Sequence, residues 1–346
     1  MTKRAGRAIA MVAVAVIAVA SPATARRGEG ARDVPPARLL LASLDGIDAD
    51  RVYDRMGLDV RRHIVRLAIT RTSGVSGICM GAAIDRRYVL TAGHCLRDAR
   101  TIEASRQPTR AGPRRTVPVL GWVAHPSVES KRATATQLPE PPFAPTMRTV
   151  HRRRDLGVVL LGEDPTPGGE PLRLAEEHVL RDWTGAAAVI GFDRDRDTRV
   201  LTERLSFIPL NRVRRIPGSD GAVVVGEVGV VFDHELKDVP VPPRLAYCQG
   251  DSGAPVLAHM KTARTAGAAR RYEVRLIGVA ALGARPVPRL GRSRTAAAVG
   301  CFRDVVWFSL TDPEVRRWLG EAERLLERRH CLEARSDPWC VRAPTR

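Results

Sequence analysis

From His63 onward the apolar residues of this chain come in short runs cut apart by Gly, Pro and Asp, and that punctuation limits the possible folds. Val65, Leu67 and Ile69 alternate with Arg66, Ala68 and Thr70, the two-residue period of a strand with one buried face. Further runs follow at 88–90, 117–123, 156–161, 187–192, 223–231, 276–282 and 305–310. Many short strands without intervening helices point to an antiparallel sandwich or barrel. One helix is expected, at the end of the pattern. Asp312 can cap it, Pro313 fits its first turn, and Val315, Trp318, Leu319, Ala322, Leu325 and Leu326 fall on one face.

The first 25 residues read as an export signal. Lys3, Arg4 and Arg7 precede an apolar run from Ala8 to Ala20, and Ala23-Thr24-Ala25 supplies the small-x-small cleavage pattern. The run is too short to span a bilayer comfortably, so the expectation is a cleaved signal and a mature chain with no membrane span, secreted or periplasmic. Residues 26–60 read as a pro-segment or N-terminal extension. Two later stretches look like loop insertions: 127–149, with Pro139, Pro141, Pro142 and Pro145, and 283–300, rich in Arg, Pro and Ala.

A formal net charge of +18 would suit a protein that binds polyanions. The residue types argue otherwise. Only Lys3, Lys131, Lys237 and Lys261 are lysines, so nearly all of the basic residues are arginine, a skew that reads as codon bias. They are dispersed and not interleaved with aromatic platforms, so no dedicated nucleic-acid partner is expected. Six cysteines, all after the signal, point in an exported chain to disulfides. With no Cys-x-x-Cys and no His-rich tract, neither a metal nor a cofactor is expected. Counting alone leaves every cysteine pairing open.

Two segments carry the chemistry: Thr91-Ala92-Gly93-His94-Cys95 and Cys248-Gln249-Gly250-Asp251-Ser252-Gly253-Ala254-Pro255. The second sets a serine between glycines in a tight turn, where backbone N–H groups can converge on an anion. Such a turn suits acyl transfer, in which a hydroxyl attacks a carbonyl and the oxyanion needs fixed donors. The hydroxyl needs a base, and histidine is the side chain suited to that role near neutrality.

Together and in this order, the two segments resemble the chymotrypsin/trypsin-like serine peptidases, over roughly Val65 to Leu326. The resemblance implies two antiparallel Greek-key β-barrels with a C-terminal helix. Barrel 1 would span about 61–165, barrel 2 about 180–311 and the helix 313–329, in a peptidase domain of 61–330. It makes His94 the general base, Ser252 the nucleophile, and the amides of Gly250 and Ser252 the oxyanion hole. Asp251 matches the buried aspartate that shapes that hole. Asp155, in Arg154-Asp155-Leu156-Gly157-Val158-Val159-Leu160-Leu161, matches the acid that orients the base; Asp164 and Asp98 are its rivals, read as solvated loop charges. His125 matches a structural loop position, and His63, His151, His178, His234, His259 and His330 read mostly as surface residues. The resemblance pairs Cys79 with Cys95, Cys248 with Cys301, and Cys331 with Cys340, the last closing a tail over 331–346.

The sequence departs from the trypsin pattern at two places. The Ile-Val-Gly-Gly that follows the activation cleavage in trypsin-like zymogens is absent, and Asp48-Ala49-Asp50-Arg51-Val52 looks more like bacterial V8-like peptidases. Ala246 stands where trypsins carry the aspartate that binds Arg or Lys. With Ala281, Leu282, Gly283 and Val305 it implies a small or medium apolar pocket. The expected function is that of a secreted serine endopeptidase, acting on polypeptides as a monomer through a Ser-His-Asp triad and an acyl-enzyme, and not specific for Arg or Lys. The alternative is a catalytically silent homologue used as a binding module. An α/β-hydrolase is disfavoured because there the histidine follows the serine.

Overall fold

The computed structural model describes residues 60–106, 114–129, 154–165, 171–176, 187–194, 201–215, 223–228, 247–261, 272–283, 301–302 and 304–342. The expected export signal, nearly all of the 26–60 extension, Ala246 and the bulk of both insertions lie outside these residues.

Seven strands form the first sheet: β1 Ile64–Arg71, β2 Ser76–Ala83, β3 Tyr88–Thr91, β4 Ala99–Arg106, β5 Arg115–Val117, β6 Val119–Ala124 and β7 Gly157–Leu161. Their order is β5-β4-β1-β2-β3-β7-β6 and every pairing is antiparallel. The two edges, β5 and β6, are consecutive in the chain with only Pro118 between them. A sheet whose edges are joined by one residue must roll, and the missing proline N–H explains why the expected 117–123 run breaks there. In β1 the expected alternation holds: Val65, Leu67 and Ile69 are buried and Arg66, Ala68 and Thr70 are partly exposed. β7 is buried on both faces. Val158 and Leu160 enter one core, and Val159 and Leu161 the other.

The second unit contains β8 Ala187–Arg194, β9 Leu201–Arg215, β10 Val223–Val228, β11 Tyr247–Cys248, β12 Pro255–Lys261, β13 Tyr272–Gly283, β14 Cys301–Phe302 and β15 Asp304–Ser309. Six of these close a barrel in the order β10-β15-β13-β12-β8-β9, and β11 and β14 pair beside it. Trp307, Phe308, Ile190, Leu276 and Val279 are buried residues of its strands.

The C-terminal helix spans Pro313–Glu333, four residues beyond the expected 329. Asp312 caps it by accepting a hydrogen bond from the Glu314 N–H at 2.8 Å. Val315, Trp318, Leu319, Ala322 and Leu326 are buried as the pattern requires, while Leu325 is half-buried. Although the helix follows the last strand of the second barrel, it packs on the first, against β6 and β7. Leu326 lies where a Cβ on Gly121 would be 3.3 Å away, and Tyr88 donates to the Glu323 carbonyl at 3.3 Å. The Cys331–Cys340 disulfide folds the tail back. There Arg87 donates from Nε to the Leu161 carbonyl at 2.7 Å and stacks 5.0 Å from the Trp339 ring centre. No helix among the described residues is long and apolar enough to cross a membrane.

Loss of the cap should be measurable. Asp312→Ala is expected to lower unfolding free energy by about 0.5–2 kcal/mol in urea titrations, without changing the cooperativity of the transition.

Candidate active site

His94 sits in a single helical turn, Gly93–Leu96, that directly follows β3. Gly93 is required there, because a Cβ would fall 2.6 Å from the Leu156 carbonyl oxygen. That contact seats the turn against the segment leading into β7, which carries Asp155. The carboxylate grips the turn twice. Asp155 Oδ1 accepts the His94 backbone N–H at 2.6 Å, and Oδ2 lies 2.7 Å from His94 Nδ1. A carboxylate accepts, so the proton belongs on Nδ1 and the lone pair on Nε2. Asp155 is 8% exposed. Of its rivals, Asp98 is a surface residue with left-handed backbone (φ 55°) facing Arg97, and Asp164 is only partly buried. The Cys79–Cys95 disulfide braces the same turn, with Cys95 Sγ 3.8 Å from His94 Nε2. Those two sulfurs are bonded to each other, so their closeness to the imidazole offers a metal no thiolates.

The Ser252 loop leaves β11 and enters β12. Gly250 (φ 100°) and Gly253 (φ 84°) adopt left-handed backbone that side chains resist. Gly253 is constrained twice, since a Cβ would lie 2.0 Å from the Met80 carbonyl oxygen. The loop is pinned at two consecutive residues: Met80 N–H donates to the Ser252 carbonyl and Gly253 N–H to the Ala280 carbonyl, both at 2.7 Å. Asp251 is fully buried and accepts the Cys248 N–H at 2.8 Å, packing against Gly191 of β8. Among the described residues the amides of Gly250 and Ser252 donate to no backbone acceptor. The described contacts include no hydrogen bond from Ser252 Oγ to His94. In unliganded sites such bonds are often long and tighten with substrate.

Of the residues expected to shape the pocket, Ala281 and Val305 are buried in the barrel, and Leu282 and Gly283 are partly exposed. Gly283 pairs with Val305, and Tyr247 with Phe302. Cys248 is disulfide-bonded and stands opposite Cys301 in the ladder. Tyr247, which the sequence did not single out, is buried next to the Ser252 loop. Burial raises the pKa of its phenol, the Ser252 side chain acts in the opposite sense, and Asp251 and Asp155 add to the rise. By distance and angle its hydroxyl makes no hydrogen bond, so Ser252 is its polar neighbour and not its partner.

A second group of side chains holds the Asp155 segment from behind. His125 N–H donates to the Leu156 carbonyl at 2.8 Å. Its Nδ1 accepts the Ser127 N–H at 3.2 Å and lies 2.8 Å from Ser127 Oγ. That hydroxyl in turn accepts the Arg154 N–H at 2.8 Å. The Arg154 guanidinium reaches Asp312 and Glu314 at the start of the C-terminal helix, and Trp318 of that helix packs 5.0 Å from the His125 ring. His63 is buried, not at the surface as expected, and His330 bonds to Asp337 at 2.6 Å.

Compared with known families, the chain matches Trypsin over residues 58–289, more than half of its length, and it belongs to the trypsin family. Among solved structures, HL collagenase is similar at 16% identity and a TM-score of 0.45, over 81% of this chain and 97% of that one. A structure of GrC is similar at 15% identity and a TM-score of 0.44, over 76% and 95%. A search of curated proteins gave no match.

The His125 network gives the fold an acid-sensitive point. Burial, aided by Arg154, lowers the His125 pKa to about 4, against the opposing pull of Asp312. The unfolded chain takes up this proton near pH 6.5 and the folded protein only near 4. Stability is therefore full above pH 6.5 and is lost as pH falls toward 4. His125→Asn should flatten this part of the stability–pH curve, measured by urea unfolding.

Proposed function

We propose that this chain is a serine endopeptidase in which Ser252 attacks the substrate carbonyl, His94 takes its proton and Asp155 holds His94 in the productive tautomer. The observation that carries the reading is the double grip of Asp155 on His94. A carboxylate on both the backbone N–H and Nδ1 fixes the ring's position and directs the Nε2 lone pair away from the acid. In the first step the Ser252 O–H proton passes to Nε2 as Oγ bonds to the carbonyl carbon, and the carbonyl oxygen takes the negative charge. The amides of Gly250 and Ser252, which donate to no backbone acceptor among the described residues, would hold that charge. Collapse expels the amine, which receives the proton from His94, and leaves an acyl-enzyme for water to cleave by the same route in reverse.

Substrate would lie along β13. β12 begins at Pro255 opposite Val279, so Ala281–Gly283 run past it with one edge free among the described residues and the other laddered to β15. An extended peptide can add there as a further strand. Export and a mature chain without its first 25 residues belong to the same reading. They are supported by the N-terminal pattern and by disulfides that persist in oxidising compartments.

A fluorophosphonate probe is expected to label the mature protein at Ser252, as read by mass spectrometry, and to leave Ser252→Ala unlabelled. Asp155→Asn should lower kcat by about three to four orders of magnitude with little change in stability. A folded protein that resists labelling would be a silent homologue.

A further inference from the structure

The backbone of His94 is held at both of its polar groups by charged side chains. Asp155 takes the N–H, and the carbonyl accepts from Arg71 Nη2 at 3.1 Å. Arg71 Nη1 donates to a second carbonyl, that of Arg97, at 2.5 Å, just past the same turn. The turn needs such outside donors. Gly93–Leu96 is only four residues long, and a helix leaves its last carbonyls without partners of its own. Arg97 N–H closes the turn on the Gly93 carbonyl at 3.1 Å, and the His94 and Arg97 carbonyls go to Arg71.

The fold aims this arginine at the turn. Arg71 ends β1 on the face that buries Leu67 and Ile69, yet it is only half-buried. The ladder to β4 shifts register between Thr70 and Arg71, and a bulge of this kind re-aims the side chain it carries. Thr72 adds a backbone bond, its N–H donating to the Asp98 carbonyl at 2.8 Å. Asp98 has the left-handed backbone common just past a helix end. Residues 94–98 are thus fastened through three carbonyls to one end of β1. Folding alone asks little of these side-chain bonds, because water competes for them at a part-exposed site and their net contribution is modest. Geometry asks more. A planar guanidinium fixes the direction of both bonds, and a base displaced by about 1 Å loses roughly a hundredfold in rate.

We propose that Arg71 is a positioning residue for His94, holding the carbonyl end of its peptide unit as Asp155 holds the N–H. The proposal rests on the peptidase reading and adds to it a second charged group that acts through the base.

The test compares mature wild type, Arg71→Met and Arg71→Lys by fluorophosphonate labelling of Ser252. Two quantities are read: the fraction labelled at completion, and the limiting rate at saturating probe. Arg71→Met is expected to label completely but about 10–100-fold more slowly, with the half-saturating probe concentration unchanged. Arg71→Lys keeps the charge but has one donor atom for two carbonyls, and should fall between the other two. A loss confined to the labelled fraction, at the wild-type rate, makes Arg71 a fold-stabilising residue only and overturns the proposal. So does complete labelling of Arg71→Met at a rate within about tenfold of wild type. Where Arg71→Met does not fold, Arg71→Lys decides: labelling at least about threefold slower than wild type supports the role, and a smaller change overturns it. Wild type that takes no label overturns the peptidase reading, and this proposal with it.

Discussion

The two barrels share a continuous core and meet, at the Ser252 loop, on the backbone of one residue, Met80. Its N–H holds the carbonyl of Ser252, and its own carbonyl accepts the Thr91 hydroxyl at 2.6 Å and presses against Gly253. Thr91 ends the strand that delivers His94 three residues later. His94 and Ser252 therefore come from different sheets but share one strand edge as their reference. Peptide units, unlike side chains, have few ways to drift, and misplacement by about 1 Å is enough to cost a reaction two orders of magnitude. The glycine at 253 follows from this contact, because any side chain would separate the sheets where they must touch.

Asp155 is held with similar redundancy. It stands at the entry to β7, a strand that belongs to both cores, so it cannot shift without disturbing each. Behind it, His125 and Ser127 bind the flanking peptide groups, and the arginine next to it is anchored on the helix start. The acid is buried enough to be shielded from water yet bonded through both oxygens, which satisfies the rule that buried charge must be paired.

Parts of this arrangement are legible in the sequence for identifiable reasons. β1 is readable because only one of its faces is buried, and β7 because its apolar run is continuous. The final helix announces itself through Asp312-Pro313 and a 3.6-residue apolar stripe. β4 is not readable: its buried positions are Ile102, Ala104 and Arg106, and an arginine facing inward breaks the binary pattern. β9 hides for a related reason, with Ile208 and Leu210 set among polar residues and a proline. His94 and Ser252 can be found from their neighbours because local glycines and cysteines mark them. His125 is marked only as a structural loop position, and Tyr247 and the Ser127–Arg154 link leave no mark at all. Their significance arises only when segments distant in sequence are folded together, as Phe302 on Gly283 and Trp318 on His125 show.

The placement of the last helix also has a bearing on biosynthesis. Arg154 finds its carboxylate partner Asp312 across 158 positions of chain. During translation the first sheet emerges long before the helix that braces it. Throughout that interval the segment bearing Asp155 lacks one of its supports. A chain built this way completes the bracing of that segment only after nearly all of it has been synthesised.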